Sequence, residues 1–443
     1  MNLRRRPEPS VESATDALLD GDQVLAPGTA VAALRRRDFR LFWGGTFASN
    51  IGTWMQNVLL GAYGYELTHS SSYVGLLVFA QLGPLILLAP LGGVLADHVD
   101  RRRLLVLTQL EQLAGSVVLA LLASSDHPSH VAIFICVLAI GAGNALSAPA
   151  LSAILPTLVP RQDLAGAVSL QSAQMNLSRV VGPVLGAPLY VRFGASPVFL
   201  LNALTYLFAV AAVVVVAYPR RAPHVAEESG WAHLLSGFRI AWRDRLIRHV
   251  LSTMMLLSLF SLTFVGLMPV IAAQSLGIRP KSASYGWLYA IFGLGAAAGA
   301  TAVGTLLVDR SKAALSRLGL VALAGILAIF GLLRSAAPAY PVALLLGLAY
   351  FTVVTSLATL LQEHLDDALR GRVLALWIVA FGGSVPVGVL AAGYAVRATS
   401  ITAVVLVGAA VAAVLALRPV PAGSGPVVGE VEDGTALGAD EGG

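Results

Sequence analysis

Long apolar runs alternate with short polar segments along most of this chain. A helix needs about 20 mostly apolar residues to cross a bilayer, and twelve windows reach that length. We number them spans 1 to 12; their approximate bounds are 40–65, 73–96, 104–124, 131–155, 167–191, 197–217, 249–273, 284–308, 314–333, 340–361, 373–396 and 400–417. The pattern predicts an all-α membrane protein with twelve transmembrane helices. Because the number of spans is even, both chain ends should lie on one side of the bilayer.

The composition supports this prediction and excludes a soluble enzyme core. The chain has 443 residues, of which 57% are hydrophobic and only 12% are charged. Soluble domains carry about 25% charged residues, and single soluble cores stop growing beyond roughly 250–300 residues. Lipid must therefore cover most of the apolar surface.

The basic residues are distributed very unevenly between the two sides of the predicted membrane. Of 29 lysines and arginines, Arg179 falls within span 5. The side opposite the chain ends receives Arg192, Arg279, Lys281, Arg334 and Arg397. All the others lie on the side of the chain ends, which predicts that both termini are cytoplasmic in an inner or plasma membrane. This topology explains the net charge of +5 without nucleic-acid binding.

The same pattern divides the chain into five segments. Residues 1–34 contain no apolar signal-peptide core and are expected to form a disordered cytoplasmic arm. Residues 35–217 and 249–418 form two six-helix bundles, joined by a cytoplasmic linker at 218–248. Residues 419–443 are rich in glycine, proline and acidic residues, and should form a disordered tail.

The linker contains a second type of apolar pattern. Between Trp231 and Ile247, apolar and basic residues alternate at helical spacing. This spacing predicts an amphipathic helix that lies along the inner membrane surface. A plain flexible linker is the alternative.

Two short polar segments reveal an internal repeat. The stretch GVLADHVDRRR at 93–103 ends span 2, and GTLLVDRSKAALSR at 304–317 ends span 8. Both place a glycine before an aspartate that basic residues follow. A weaker pair is DLAGAVSL at 163–170 and ALRGRVLA at 368–375, before spans 5 and 11. Similar offsets in corresponding loops predict two homologous halves.

The first of these segments resembles motif A of the major facilitator superfamily, although His98 and Asp100 depart from that pattern. Residues 50–77, 147–183 and 365–377 resemble one branch of the superfamily, the enterobactin-exporter-like or transmembrane secretion effector branch. The resemblance implies the major facilitator fold of two homologous six-helix bundles. It also implies that a gating motif closes the cytoplasmic side.

The expected gating residues come from both copies of the repeat. They are Gly93, Asp97, Arg101, Arg102, Gly304, Asp309 and Arg310. Asp97 should lie near a helix N-terminus, that of span 11, where a carboxylate is stabilised. Arg101 and Arg102 should pair with acids at the same level. The alternative is that the arginines only anchor the topology.

Polar residues within spans are candidates for a substrate cavity between the two halves, because burying them in a membrane is costly. The candidates are Asn50, Thr53, Asn57, Gln81, Asn144, Gln171, Gln174, Arg179, Thr352, Thr355 and Thr359. For any one of them, a hydrogen bond between two helices is the competing interpretation.

Two charged residues within the predicted spans are candidates for a role in the transport mechanism. Arg179 lies deep in span 5 and needs a partner or an anionic ligand, and Glu111 lies about two turns into span 3. Glu111 could carry the coupling proton, or the two residues could form a structural ion pair. Because Glu111 lies nearer the inner end than the cavity centre, the sequence slightly favours the structural pair.

Span 5 also contains SRVVGPVLGAP at 178–188, which partly resembles motif C of superfamily antiporters. Gly182, Pro183 and Gly186 match, whereas Ser178 and Ala187 replace glycines. This resemblance favours export over uptake.

The expected function is therefore proton-coupled export of a small amphiphilic or anionic molecule, such as a siderophore, drug or natural product, by a monomer in the bilayer. The sequence contains no metal-ligand spacing and no Walker A pattern, so no cofactor is expected. An importer of a sugar or organic acid on the same fold is the main alternative. A membrane-embedded enzyme built around residues 364–367 is a remote one.

Overall fold

The computed structural model describes residues 29–88, 91, 99–216 and 230–421, without the side chains of residues 230–236, 367 and 368. In spans 1 to 6 the helices are Arg37–Thr68, Ser71–Leu82, Arg101–Ala123, His130–Ile154, Leu164–Phe193 and Ala195–Val215. The apolar helical stretch of span 2 continues to Leu88. Short 3-10 turns at Leu155–Thr157 and Arg161–Asp163 join spans 4 and 5.

Spans 7 to 12 are also helical, but π-helical turns interrupt the helices of spans 7 and 11. Span 7 comprises Arg245–Leu256, a π-helical turn at Leu257–Ser261, Thr263–Gly266 and Met268–Gln274. Spans 8, 9, 10 and 12 are Ala283–Gly304, Lys312–Leu332, Ala339–His364 and Ile401–Leu417. Span 11 comprises Asp367–Ile378, a π-helical turn at Val379–Gly383, and Ser384–Ala398.

Each of the twelve predicted windows is thus helical over most of its described residues, and the predicted all-α membrane fold is confirmed. In the described part of the chain, nine helices are long and apolar enough to cross a membrane. Spans 1 and 5 carry more polar side chains, and span 12 has only 17 helical residues.

The packing of the helices obeys a twofold relation between the halves. Span 1 packs on spans 5 and 6, span 3 on spans 4 and 6, and span 2 on span 4. Adding six to each number gives the packing pairs of the second half. Between the halves, span 2 packs on span 11 and span 5 on span 8, two contacts that the same operation exchanges. The repeat seen in the loops therefore extends to the tertiary structure.

The two halves meet closely on the side opposite the chain ends, which we call the far side. Ser71 Oγ donates a hydrogen bond of 2.8 Å to the Gly393 carbonyl, and Gln274 Nε2 donates one of 3.3 Å to Tyr65 Oη. A Cβ on Gly286 would lie 3.2 Å from the Pro183 carbonyl oxygen. Small residues let the helix backbones of the two halves approach closely here.

On the side of the chain ends, which we call the termini side, two glycines of spans 8 and 11 have no close neighbour among the described residues. A Cβ added to Gly304, at the end of span 8, or to Gly371, at the start of span 11, would meet no atom within 4 Å. The conformation of the described residues is therefore closed on the far side, where hydrogen bonds join the two halves.

A short helix precedes each half and packs on it. The helix Ala30–Arg35 packs on span 5, where Gly166 faces the Thr29 carbonyl. This corrects the predicted disordered arm at 1–34, because residues 30–34 are helical and Ala33 is buried; residues 1–28 lie outside the described residues. In the linker, the helix Gly230–Arg243 packs on the start of span 11. The acidic tail from residue 422 onwards is also outside the described residues.

Candidate translocation site

Arg179 lies near the middle of the helix Leu164–Phe193, in span 5. At 1.5 Å per residue it is roughly 22 Å along the axis from the start of this helix. Span 5 is also one of the helices that contact the opposite half, through span 8. The one basic residue that the sequence places within a span thus lies at the junction of the two bundles.

The guanidinium of Arg179 is held between two aromatic rings. Its Cζ atom is 4.8 Å from the ring centroid of Trp54 in span 1 and 4.8 Å from that of Phe351 in span 10. The two rings come from different halves of the protein. Stacking a guanidinium on aromatic faces is favourable and leaves its N–H edge free for a planar anion.

One edge of this guanidinium lacks a partner. Nη1 of Arg179 is buried and has no hydrogen-bond partner among the described residues. The expected ion pair with Glu111 is absent from this conformation, because Arg179 is turned toward the junction between the halves. Glu111 lies instead inside the first half, with its Oε2 against Gly143 of span 4. The interpretation that the sequence slightly favoured is therefore wrong for this state.

Glu111 is itself without a hydrogen-bond partner at one oxygen. Its Oε2 atom is buried and unpaired among the described residues. The close contact with Gly143 leaves no room for a side chain on span 4 at that point. The carboxyl group is thus confined between spans 3 and 4, in the first half.

Several of the polar candidates for the cavity bond neighbouring helices together. Thr53 Oγ1 is 3.3 Å from Tyr206 Oη of span 6, and Gln174 Nε2 donates to Thr46 Oγ1 of span 1 at 3.2 Å. Gln81 Nε2 donates to Asn57 Oδ1, joining spans 1 and 2. For these four candidates, the competing interpretation of a helix–helix hydrogen bond describes what the structure contains.

The remaining polar candidates are half-buried or exposed. Those that are half-buried are Asn50, Gln171, Thr352, Thr355 and Thr359, whereas Asn144 is exposed. Thr352 directly follows Phe351 in span 10, beside the Arg179 site. Thr359 Oγ1 donates to the Thr355 carbonyl at 2.9 Å, within the same helix.

A polar network that the sequence analysis missed joins spans 1, 3 and 6. Gln56 Oε1 accepts hydrogen bonds from Ser116 Oγ at 3.1 Å and from Asn202 Nδ2 at 2.9 Å. Thr205 Oγ1 donates to Asn202 Oδ1 at 3.1 Å. Gln56, Ser116 and Asn202 are buried. These residues lie on three separate spans, so their spacing in the sequence does not link them. Only the folded structure shows that they form one network.

The described part of the gating motif lies at the ends of helices. Arg102 donates to the Val214 carbonyl at the end of span 6, and its expected pairing with an acid stays a prediction. In the second half, Arg317 Nε donates to the Ala416 carbonyl of span 12 at 3.1 Å, an equivalent contact. Asp309 and Arg310 are exposed. Gly93 and Asp97 lie outside the described residues, so the role expected for Asp97 stays a prediction.

The segment that resembles motif C lies where span 5 meets spans 1 and 8. A Cβ on Gly182 would be 2.7 Å from the Met55 nitrogen, and one on Gly186 would be 2.8 Å from Leu59 Cδ1. Pro183 and Ala187 face Gly286 of span 8. These small residues bring the far-side half of span 5 against both bundles.

Residues 28–421 match the family described as transmembrane secretion effector. This chain belongs to that family, within the major facilitator superfamily. The enterobactin exporter of Shigella boydii is 29% identical over 342 residues, which are 76% of this chain and 80% of that exporter. Among solved structures, the nucleoside transporter NupG superposes with a TM-score of 0.70 at 14% identity, covering 86% of this chain and 98% of that chain. A POT family transporter in complex with 5-aminolevulinic acid also gives 0.70, at 12% identity, with 86% and 95% covered.

The family and the fold establish the class of function. The protein is a multi-pass membrane protein and a secondary transporter of the major facilitator fold, with a small-molecule substrate. It is a transporter and not an enzyme, so the remote alternative around residues 364–367 is wrong. There, His364 Nε2 is 3.1 Å from Asp244 Oδ2, a contact within hydrogen-bond distance that joins the end of span 10 to the start of span 7.

Proposed function

We propose that this transporter exports a small anionic molecule of the siderophore type, and that Arg179 binds its negative charge. The observation that carries this proposal is the unpaired guanidinium between Trp54 and Phe351, at the junction of the two halves. The likeness to enterobactin exporters supports a siderophore-like substrate. The partial match to motif C supports export.

The physical argument starts from the cost of a buried charge. A cation deep within a membrane protein is costly unless a counter-ion or a polar cavity compensates it. No acidic side chain among the described residues forms an ion pair with Arg179. A carboxylate or phenolate of the substrate would supply the missing negative charge and accept hydrogen bonds from the free edge. An aromatic substrate group would also find Trp54 and Phe351 beside the charge.

The position of the site suits alternating access. Arg179 touches rings from both halves, so relative movement of the bundles changes its surroundings. The distribution of basic residues supports cytoplasmic termini, and the termini side then faces the cytoplasm. A cytoplasmic substrate would enter from the termini side, and in this conformation it would meet a closed far side. Release requires the contacts between spans 2 and 11, and between spans 5 and 8, to separate on the far side.

Proton antiport would drive this export, with Glu111 as the proton carrier. Its buried, unpaired Oε2 supports this role, because a carboxyl group without a fixed counter-ion can change its protonation state. Thr53 and Tyr206 lie in the same half and join spans 1 and 6 near this group. The transporter would act as a monomer in an inner or plasma membrane.

The test compares cells that lack the protein with cells that express the native chain, Arg179→Gln or Arg192→Gln at equal levels. Arg192 is exposed at the far-side end of span 5 and serves as the matched control. Untargeted mass spectrometry of cells and medium should find an anionic compound that is retained without the protein. It should be released with the native chain and Arg192→Gln, and retained again with Arg179→Gln.

Other outcomes of this experiment would refute the proposal in different ways. Release with Arg179→Gln at the native rate would remove Arg179 from the substrate site. A compound depleted from the medium only when the protein is present would favour the importer. Release of a neutral or cationic compound alone would contradict the proposed substrate charge.

A further inference from the structure

The linker helix Gly230–Arg243 has one face of small residues that packs on the protein and a neighbouring face of large aromatic residues. Gly237 faces the Arg372 carbonyl of span 11, where a Cβ would lie 2.7 Å from the oxygen, and Ala241 one turn later is buried. These two positions form the face that packs on the protein. The small side chains allow the linker helix to lie directly against the backbone of span 11.

The next face carries two large aromatic side chains that the protein leaves uncovered. Phe238 and Trp242 are 57% and 65% exposed, and their rings stack with centroids 6.0 Å apart. They are separated by four residues, so both project from one side of the helix. Exposed aromatic pairs of this kind are typical of helices at the boundary between lipid headgroups and acyl chains.

Arginines surround this aromatic pair. Arg239, Arg243, Arg245 and Arg248 are all exposed. Arg248 Nη1 donates to the Trp242 carbonyl at 2.7 Å, which keeps its charge beside the aromatic pair. Between residues 237 and 248 the one carboxylate is Asp244. It accepts from the Ile247 nitrogen at 2.8 Å and pairs with His364, so it is already engaged.

We propose that this surface, formed by Phe238, Trp242 and the four arginines, binds anionic phospholipids of the adjacent leaflet. The aromatic rings enter the acyl boundary while the arginines contact phosphate groups. The charge of the surface is complementary to an anionic headgroup and not to a zwitterionic one. The position of this surface along the membrane normal also agrees with lipid headgroup contact, because the linker helix lies at the level where spans 7 and 11 begin.

Lipid binding at this surface would act on transport through span 11. The linker helix touches the start of span 11 at Arg372, and span 11 is one of the helices that join the two halves. Holding the linker helix at the membrane surface therefore restrains the termini-side end of span 11. The proposal goes beyond the substrate assignment and does not depend on it.

Native mass spectrometry of the purified full-length protein tests this binding directly. The protein is mixed with phosphatidylglycerol or phosphatidylcholine, and bound lipid is counted for the native chain, for Arg239→Gln with Arg243→Gln, and for Arg192→Gln with Arg397→Gln. The last pair removes the same charge from exposed far-side positions. We expect the native chain to prefer phosphatidylglycerol, and the linker variant to lose roughly fivefold of that preference per arginine. The far-side variant should retain it.

A second measurement covers the aromatic pair. In nanodiscs that contain brominated phosphatidylglycerol, tryptophan emission of the native chain should be quenched more than that of Trp242→Phe. Equal retention of the two lipids by the native chain would overturn the proposal, and so would an unchanged preference in the linker variant. Equal quenching of the native chain and Trp242→Phe would exclude insertion of this face. None of these readouts depends on transport, so they are independent of the substrate test.

Discussion

The Ser71 hydroxyl, at the start of span 2, donates a hydrogen bond of 2.8 Å to the Gly393 carbonyl near the end of span 11. These residues are 322 positions apart in the chain and belong to different halves. Ser72 Oγ donates to the same carbonyl at 3.3 Å. The far side is therefore closed by hydrogen bonds to backbone as well as by apolar packing, and it must break them to open.

Gly75→Val should open the far side. A Cβ at this position would lie 2.9 Å from the Val389 carbonyl oxygen and 3.1 Å from Leu390 Cα, so a larger side chain separates spans 2 and 11. With spin labels at His69 and Arg397, in a background where the single cysteine Cys136 is replaced by alanine, electron–electron distance measurements should show a longer far-side distance.

Gly325→Val is the control for this change, because a Cβ there meets no atom within 4 Å. It should leave the distance unaltered. If Gly75→Val gives the native distance distribution, contact between spans 2 and 11 does not hold the far side closed.

Arg179→Gln should reduce substrate transport at least tenfold without lowering thermal stability. A charge-assisted hydrogen bond contributes about 1.5–3 kcal/mol, which is tenfold or more in affinity. The substitution also removes a buried cation that lacks an ionic partner, so the melting temperature should stay equal or rise. Arg179→Lys should recover only part of the transport, because lysine retains the charge but not the planar fork. A large fall in melting temperature with Arg179→Gln would indicate a structural role.

Glu111→Gln should separate proton movement from substrate movement. An amide of the same size fits against Gly143 but cannot carry a proton. In proteoliposomes, an imposed proton gradient should no longer drive accumulation, while exchange of substrate down its own gradient continues. Glu66→Gln is the matched control, since Glu66 accepts from Tyr190 Oη at 2.6 Å at the far side. Native proton-driven accumulation in Glu111→Gln would remove this residue from coupling.

Asn202→Leu should lower the free energy of unfolding by about 1–2 kcal/mol, because Gln56 Oε1 loses the buried amide that donates to it. The measurement is the melting temperature of the purified protein in detergent. Asn144→Leu should have a much smaller effect, since Asn144 is exposed. Equal melting temperatures of the two variants would show that the network contributes little to stability.

Asp244→Ala should destabilise the contact between spans 7 and 10 more than His364→Ala. Asp244 caps the first helix of span 7 and also pairs with His364, whereas His364→Ala removes only the second contact. Loss of a capping aspartate costs about 1 kcal/mol. Thermal unfolding of both variants measures the difference, and identical shifts would mean that the cap at span 7 is unimportant.

The sequence by itself determined the membrane fold, the order of twelve spans and the twofold repeat. Lipid can cover only apolar helices of sufficient length, so hydropathy along the chain reports the spans directly. The repeat could be read from the segments that follow spans 2 and 8, because homologous halves retain the polar residues at their helix ends. Motif resemblance identified the family that the comparison then established.

Only the tertiary structure decided which polar side chains are partners. Helical spacing can place Asn50, Thr53 and Asn57 on one face of span 1, but it does not show which helix lies opposite each of them. In the structure, Thr53 bonds to span 6 and Asn57 to span 2. The same limit made Glu111 the expected partner of Arg179. Packing of the two halves instead placed Trp54 and Phe351 on either side of the guanidinium, because residues nearly 300 positions apart meet only when both bundles assemble.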